Sequence, residues 1–498
     1  MYAFAVGRPS YLQHALPLVL ALTLVGCASV LPQRAEAPLV AVPAAWSTAP
    51  QITPQTGDQQ PADLSSWWQR FNDPALTDLI AQTLRANTNL QSAQAALRQA
   101  RAQADAQAAG LGPSLGVSAS AQRSQAGNAS ASSRFQTGFD ASWEPDIFGR
   151  NRSAADASAA DALASAANLG NVQVSLAAEV AVNYINLRAL QTRLAIARDN
   201  LATQQETLQI TRWRAQAGLV SSLDLEQAIS ATAQTEAQLP ALQTGVTQTL
   251  NALAVLTGQA PGALAATLST ATAIPTAPLD LAMAFPAETL RQRPDVRAAE
   301  RRIDAALSRL SAAEAARYPS FRLGGSLGLS ALTLGSLTDS ASVLRSLLAS
   351  VSAPLFDGGA LQAQARAQQA AVDQTRAAFH GTVLTALQEV EDALAALRGD
   401  IERLERLQTA STAAANADLL ARQRFQSGLI GFDTVLSTQR SLLATQDGVA
   451  STRGSLSTNH VRLYKALGGG WQPDAGLGIG GQSGTGAARA TPPDTAAR

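Results

Sequence analysis

The apolar positions of this chain alternate between two periods. After Pro74, Leu76, Leu79, Ile80 and Leu84 recur at helical spacing, and Asp73 with Pro74 supplies a capping residue and a first helical position. The pattern runs to about Ala109, where Gly110, Gly112 and Pro113 stop it, so one helix is predicted there. The period then falls to two. Residues 114–123 and 134–143 read as strands flanking a polar loop. In the second strand Phe135, Thr137, Phe139, Ala141 and Trp143 share one face, and Gln136, Gly138, Asp140 and Ser142 the other. Helical spacing resumes after Gly149. Leu187, Leu194, Leu201 and Leu208 repeat every seven residues, with Leu190 and Ala197 between them, a coiled-coil seam. A helix of about 65 residues is about 100 Å long at 1.5 Å per residue. It reverses at Gly218-Leu219, and another helix returns to about Leu256.

The whole order then recurs. Gly112-Pro113-Ser114 is answered by Tyr318-Pro319-Ser320, and WEPDIFGR (143–150) by SAPLFDGG (352–359). Strands are predicted at 321–330 and about 342–353. A second long helix carries Leu387, Leu394 and Ile401 on one seam and Val390, Leu397 and Leu404 on another. It reverses at Gly428-Leu429, and a last helix reaches about Leu467. The turn stretch RAQAGLVSSLD, starting at Arg214, has a near copy, RFQSGLIGFD, starting at Arg424. The chain is therefore read as a tandem duplication. Repeat one covers 65–257, with its hairpin at 114–143 and tip near 218. Repeat two covers 286–467, with its hairpin at 320–353 and tip near 428. Residues 258–285 link them, and the Gly-rich 468–498 reads as a largely disordered tail.

The start of the chain carries Arg8 and the apolar run ALPLVLALTLVG (15–26), too short to span a bilayer comfortably and suited to a secretory signal over 1–26. The run ends in Leu24-Val25-Gly26-Cys27, which resembles a bacterial lipobox. In such signals the cysteine becomes the first mature residue and its sulfur carries diacylglycerol. An ordinary signal with a chance cysteine is the alternative, but the only cysteine of the chain falls at this spot. Ala28, rather than Asp, favours the outer membrane by resemblance to bacterial sorting rules. Residues 27–64 then form a lipid-anchored linker rich in Pro, Ala and Gln.

Strands of about ten residues cross a bilayer when tilted. Four of them cannot close a barrel, and open edges in lipid leave backbone groups unpaired at several kcal/mol each. Chains must pool strands: a dimer gives the minimum of about eight, a trimer twelve, and sequence physics does not choose. The long helices cannot lie in lipid, because Arg193, Arg198, Asp199, Glu206, Arg398, Asp400, Glu402 and Arg403 are too costly there. They project into water as a continuation of the barrel.

Composition narrows the function by exclusion. Lys plus Arg and Asp plus Glu both number 37, without the basic excess of a nucleic-acid binder. One cysteine permits no disulfide framework within one chain, and His14, His380 and His460 make no metal-ligand spacing. There is no phosphate loop and no nucleophile clustered with a base, so no enzyme, no cofactor and no metal site is expected.

WWQRFNDPALTDLI (67–80), RPDVRAAE (293–300), YPSF (318–321), PLFDGG (354–359) and LYKALGGGW (463–471) resemble the hallmarks of TolC-like outer membrane efflux factors, in the order of that family. The likeness is closest to the lipoprotein branch typified by OprM and NodT. The resemblance implies a mainly α fold with a membrane β-barrel portion. It implies a homotrimer whose four strands per chain form a shared twelve-stranded barrel, continuous with a long α-helical periplasmic tunnel. A girdle forms from segments near the N-terminus, the 258–285 link and the C-terminus. It also implies a passive exit duct, joined by a periplasmic adaptor to an inner-membrane transporter of the resistance–nodulation–division type.

The turn motif then gains a role. Arg214, Gly218, Leu219, Ser221 and Asp224 fit the family's tip pattern R-x-x-x-G-L-x-S-x-x-D, and Arg424, Gly428 and Leu429 form the second tip. There Gly431 replaces the serine and Asp433 comes one position early. By resemblance these tips meet adaptor hairpins. Glycine permits the reversal and leucine offers an apolar knob, while arginine and aspartate either hold the turn or pair across subunits. A merely structural helix turn is the plainer reading. Asp433 and Asp224 are the candidates for an acidic periplasmic gate. Export of drugs or small toxic compounds is the leading function. Type I protein secretion or metal efflux is the alternative, and a non-conducting coiled-coil scaffold a third reading that leaves the hairpins unexplained.

Overall fold

The computed structural model describes residues 42, 43, 46, 47, 64–278 and 290–472. The signal, Cys27 and most of the 27–64 linker lie outside the described residues, as do 279–289 of the inter-repeat link and the tail beyond 472.

Helix α1 spans Pro74–Ala86, and the N–H groups of Ala75 and Leu76 donate to Asp73 Oδ1 at 2.9 and 3.1 Å, as its capping position predicts. The single helix predicted to Ala109 is in fact two, because α2 starts afresh at Thr88–Ala109. Asn87 breaks the run. Its Oδ1 accepts from the N–H of Asn89, its Nδ2 donates to Leu256 O at 2.9 Å, and its backbone is extended. An asparagine side chain competes with the helix for backbone partners, and here a tertiary bond decides the competition.

The strands are β1 (Ser114–Ser124), β2 (Ser132–Trp143), β3 (Ser320–Ala331) and β4 (Val343–Ser352). They form one antiparallel sheet in the order β1-β2-β3-β4, so the two hairpins join through β2 and β3. The register places Val117, Phe139 and Leu327 in line on one face. Ser118, Gly138 and Gly328 stand in line on the other. The first face also carries Leu115, Leu323, Leu347 and Val351, all solvent-facing in the isolated chain. Serines and Asp140 populate the second, with Ser118 donating to Asp140 at 2.7 Å. Leu344 and Leu348 are apolar exceptions there. No strand of the chain pairs with the free edge of β1 or of β4 among the described residues.

Helices α3 (Arg150–Gln216) and α6 (Ala360–Gln426) each have 67 residues, α4 (Ser222–Leu256) and α7 (Phe432–Ala466) each 35, and α2 and α5 (Pro294–Ala315) each 22. The duplication holds to the residue in every helix of those pairs. Burial is not duplicated. Leu187, Leu194, Leu201 and Leu208 are all buried on α3, which packs against α1, α2, α4, α5 and α7. On α6, which packs chiefly on α5 and α7, Val390, Leu394 and Leu397 are buried but Ile401 is 38% exposed. The predicted seam of Leu387, Leu394 and Ile401 therefore fails at Ile401, because α6 lacks neighbours that α3 has.

Midway along the helices the connecting segments gather. Trp67 stacks on Tyr464 at 5.3 Å, and Tyr184 donates to Asp73 at 2.8 Å. Burial raises the Tyr184 hydroxyl above its ordinary pKa. Arg188 donates to Thr270 O and Gln191 to Leu268 O, both at 2.7 Å, tying the inter-repeat link onto α3. Residues 468–471 belong to this belt rather than to a disordered tail: Gly470 N–H donates to Leu64 O, and Trp471 Nε1 to Gln292 O. The glycines allow it, since a Cβ on Gly469 meets Leu64 O and the Trp67 ring at 3.0 Å.

Where the repeats join in the sheet, Gly138 faces Gly328, and a Cβ on Gly138 stands 2.8 Å from Gly328 Cα. Gly138→Val is expected to abolish the folded sheet, whereas Gly116→Val, whose Cβ meets nothing closer than 3.9 Å, is tolerated. Heat-modifiable migration of detergent-extracted protein separates these outcomes. Equal behaviour of the two variants counts against a seam that requires bare backbone.

Candidate functional site: the helix tips

Both predicted turns are present with the same hydrogen bonds. Leu219 N–H donates to Arg214 O at 2.8 Å and Gly218 N–H to Ala215 O at 3.0 Å. Leu429 and Gly428 repeat this on Arg424 O and Phe425 O, both at 2.9 Å. These are Schellman ends, and they require the positive φ of Gly218 (70°) and Gly428 (74°). In such an end the residue after glycine commonly packs back on its own helix. Here Leu219 and Leu429 are each 74% exposed.

Beyond the glycines the two tips differ. Ser221 and Asp224 form a capping box: Asp224 N–H donates to Ser221 Oγ at 3.2 Å, and Ser221 N–H to Asp224 Oδ2 at 3.0 Å. At the second tip Gly431 takes the capping position without a side chain, and Asp433 falls in the first helical turn one place too early for a box. Asp433 is exposed, and no side chain among the described residues bonds its carboxylate. The two gate candidates are thus unlike: Asp224 is engaged within its own turn and Asp433 is not.

Arg214 does not hold its own turn. It crosses to the other one. Its Nη1 and Nη2 donate to Phe425 O and Gln426 O, both at 2.7 Å, and its guanidinium lies 4.6 Å from the centre of the Phe425 ring. A cation thus caps the last carbonyls of α6, where the helix dipole is negative. Phe425 in turn meets Phe432 edge-on at 6.0 Å, inside a four-helix cluster with Leu208, Ala231 and Val435. Sequence reading passed over Phe425 because its counterpart is Ala215. It passed over Asp418, only 1% exposed, because its counterpart is Leu208. Burial raises the Asp418 carboxyl above its usual range, while Arg422 at 2.9 Å pulls it back. Arg424, the repeat of Arg214, is exposed and has no side-chain partner among the described residues.

Among the described residues no group of His, Cys, Asp or Glu is arranged to hold a metal ion, and no helix is long and apolar enough to cross a membrane. The pair of tips is an apolar-knobbed surface braced by one arginine. Arg214→Ala is expected to lower stability by about 2 kcal/mol, the range for charged hydrogen bonds. Arg214→Lys recovers little, because an ammonium lacks the fork that reaches both carbonyls. Thermal unfolding followed by helical circular dichroism reads this, and an unaltered midpoint for Arg214→Ala refutes the brace.

Comparison with known proteins accords with this geometry. TtgF, a toluene efflux pump outer membrane protein of Pseudomonas putida, is 33% identical over 473 residues, covering 92% of this chain and 97% of its own. OpmQ, a pyoverdine export outer membrane protein of Pseudomonas putida, is 34% identical over 476 residues, covering 93% and 98%. A solved structure of the outer-membrane channel OprN superposes with a TM-score of 0.80 at 34% identity, over 87% of this chain and 99% of that one. The family model for outer membrane efflux proteins matches residues 79–259 and 285–469. With both repeats matched and relatives aligned nearly end to end, the chain belongs to the outer membrane efflux protein family.

Proposed function

We propose that three copies of this chain close a twelve-stranded barrel in the outer membrane and a helical tunnel below it, forming the exit duct of a tripartite pump. The observation that carries this reading is the sheet. It has a mainly apolar face, on which Arg123 and Arg345 are the charged exceptions, a Ser-rich face and two bare edges, and its strands run on into helices too charged for lipid. Strands of 10 to 12 residues rise about 33–40 Å, which at a tilt near 45° gives about the 25 Å apolar band of an outer-membrane barrel. With the apolar face outward, the lumen is lined mainly by serine and glycine, a surface that passes solutes without binding them tightly.

The duct works passively. A periplasmic adaptor docks at the helix tips, with Leu219 and Leu429 as its apolar contacts, and an inner-membrane transporter of the resistance–nodulation–division type supplies the energy. The names of TtgF and OpmQ support small-molecule cargo such as aromatic solvents or siderophores. Cys27 carries the lipid that adds a second hold on the membrane.

Full-length protein in planar bilayers is expected to conduct as a trimer, and a scaffold passes no current. Asp433→Ala is expected to raise single-channel conductance if that carboxylate narrows the periplasmic mouth, and an unchanged conductance removes it as a gate. Cys27→Ser is expected to leave the protein without diacylglycerol. Intact mass of the mature chain reads this directly, and identical masses, apart from the oxygen-for-sulfur difference, refute lipidation.

A further inference from the structure

The apolar face of the sheet carries two charges that no group among the described residues balances. Arg123 and Arg345 are both exposed, and neither guanidinium bonds to another described residue. Arg123 follows Leu115 and Val117 on that face of β1, and Arg345 lies between Val343 and Leu347 on that face of β4. The four strands hold one carboxylate, Asp140, and it stands on the serine face. Asp339, in the loop before β4, pairs with neither arginine. The helices join the sheet near Ser114, Trp143, Ser320 and Ser352, so the hairpin loops mark its outer end. Arg123 is the last residue but one of β1 and Arg345 the third of β4, so both lie near that end. A guanidinium is costly at the middle of a bilayer and cheap at its interface. The two arginines therefore stand at the level of the outer headgroups.

Closing the barrel brings them together. At 4.8 Å between strands and 3.4 Å per residue, twelve strands tilted near 45° stagger by about 17 residues in one circuit. The nearest stagger that keeps threefold symmetry and matched faces is about 18, or roughly six residues per chain. Within the chain one row runs Ser114, Ser142, Gly324, Leu348. It climbs, because Ser114 is the inner end of β1 whereas Leu348 stands above Ser352, the inner end of β4. Continued by that stagger, the row sets Leu348 against Ser120 of the adjacent copy, and Arg345 against the adjacent copy's Arg123. The next registers with matched faces leave the arginines diagonal, still within reach of long side chains.

We propose that Arg345 of one copy and Arg123 of the next clamp the phosphate of an outer-leaflet lipid, one clamp at each seam. Like charges set side by side on a sheet repel, and an anion between them removes the repulsion. Guanidinium forks hold phosphate through paired, charge-assisted hydrogen bonds. Below the clamp Val117, Leu347 and Val351 are 74%, 90% and 65% exposed, an apolar wall for acyl chains. A free phosphate leaves that wall bare, whereas a lipid fills both parts of the site. The bound lipid also bridges two copies and so strengthens the seam.

This inference rests on the trimeric reading above, and its test separates the two. Full-length protein in nonionic detergent is titrated with bisphosphorylated lipid A and followed by native mass spectrometry, which counts copies and lipids together. A trimer that takes up one lipid per copy is expected. Arg123→Gln and Arg345→Gln are each expected to weaken uptake about fivefold. Arg134→Gln, on the serine face opposite Gln122, is expected to leave it unchanged. A trimer whose uptake is unaltered in the double variant Arg123→Gln, Arg345→Gln, or is equal for lipid A stripped of its phosphates, overturns the clamp and leaves the trimer standing. Inorganic phosphate that competes at equal concentration overturns the lipid as the occupant. A monomeric mass overturns both readings. Without any variant, lipid A is expected to raise the temperature at which the trimer dissociates. A rise no greater than the stripped lipid gives refutes the bridge.

Discussion

A backbone amide that faces hydrocarbon has no water to bond, so every strand edge placed there must meet another strand. The described residues supply four strands and two edges, and none of them covers either edge. Much of its architecture depends on that shortage. The apolar face of the sheet, so exposed in one chain, is a lipid surface waiting for its solvent. In the proposed trimer the edges meet, and the helices below, two long ones per chain, are brought into a ring by the same closure. The bilayer does not tolerate the arginines and aspartates of α3 and α6, so in the proposed trimer the tunnel stands in water and the sheet alone is in lipid.

Duplication makes the proposed ring economical to specify, but it does not make the two halves of the chain equivalent. Helix α3 lies at the centre of the chain and its seam is buried throughout, whereas α6 lies at a flank and Ile401 is partly open. The substitutions between repeats respect this. Phe425 and Asp418 stand where repeat one has Ala215 and Leu208, and the aromatic ring takes part in a contact made inside the chain. The tips show the same division of labour. Ser221 and Asp224 close one turn through a capping box, while Gly431 leaves the other without a side-chain cap and Asp433 free of it.

Much of the fold was legible beforehand because its signals are local. Seven-residue spacing marked α3, alternation marked β2, and Asp73 with Pro74 marked the start of α1. The glycines at 218 and 428 marked the reversals, since a positive φ at a helix end admits few other residues. The features that escaped notice were set by distant partners. Asn87 ends a helix because Leu256 O, far along the chain, accepts its side chain. Residues 468–471 look like the start of a flexible tail, yet they pack beneath Trp67 and bond to Leu64 and Gln292. Arg214 reads as part of its own turn, but its partners are the carbonyls of the other one.

The sequence by itself determined the elements, their duplication, the two faces of the sheet and the turn chemistry of the tips. These depend on periodicity and on residues a few places apart, where side-chain geometry and backbone sterics act directly. Only the tertiary structure decided which flank stays open, which arginine is engaged and which carbonyl it caps. Those outcomes depend on which helix ends are brought side by side, and packing, rather than any local preference, brings the end of α3 against the end of α6.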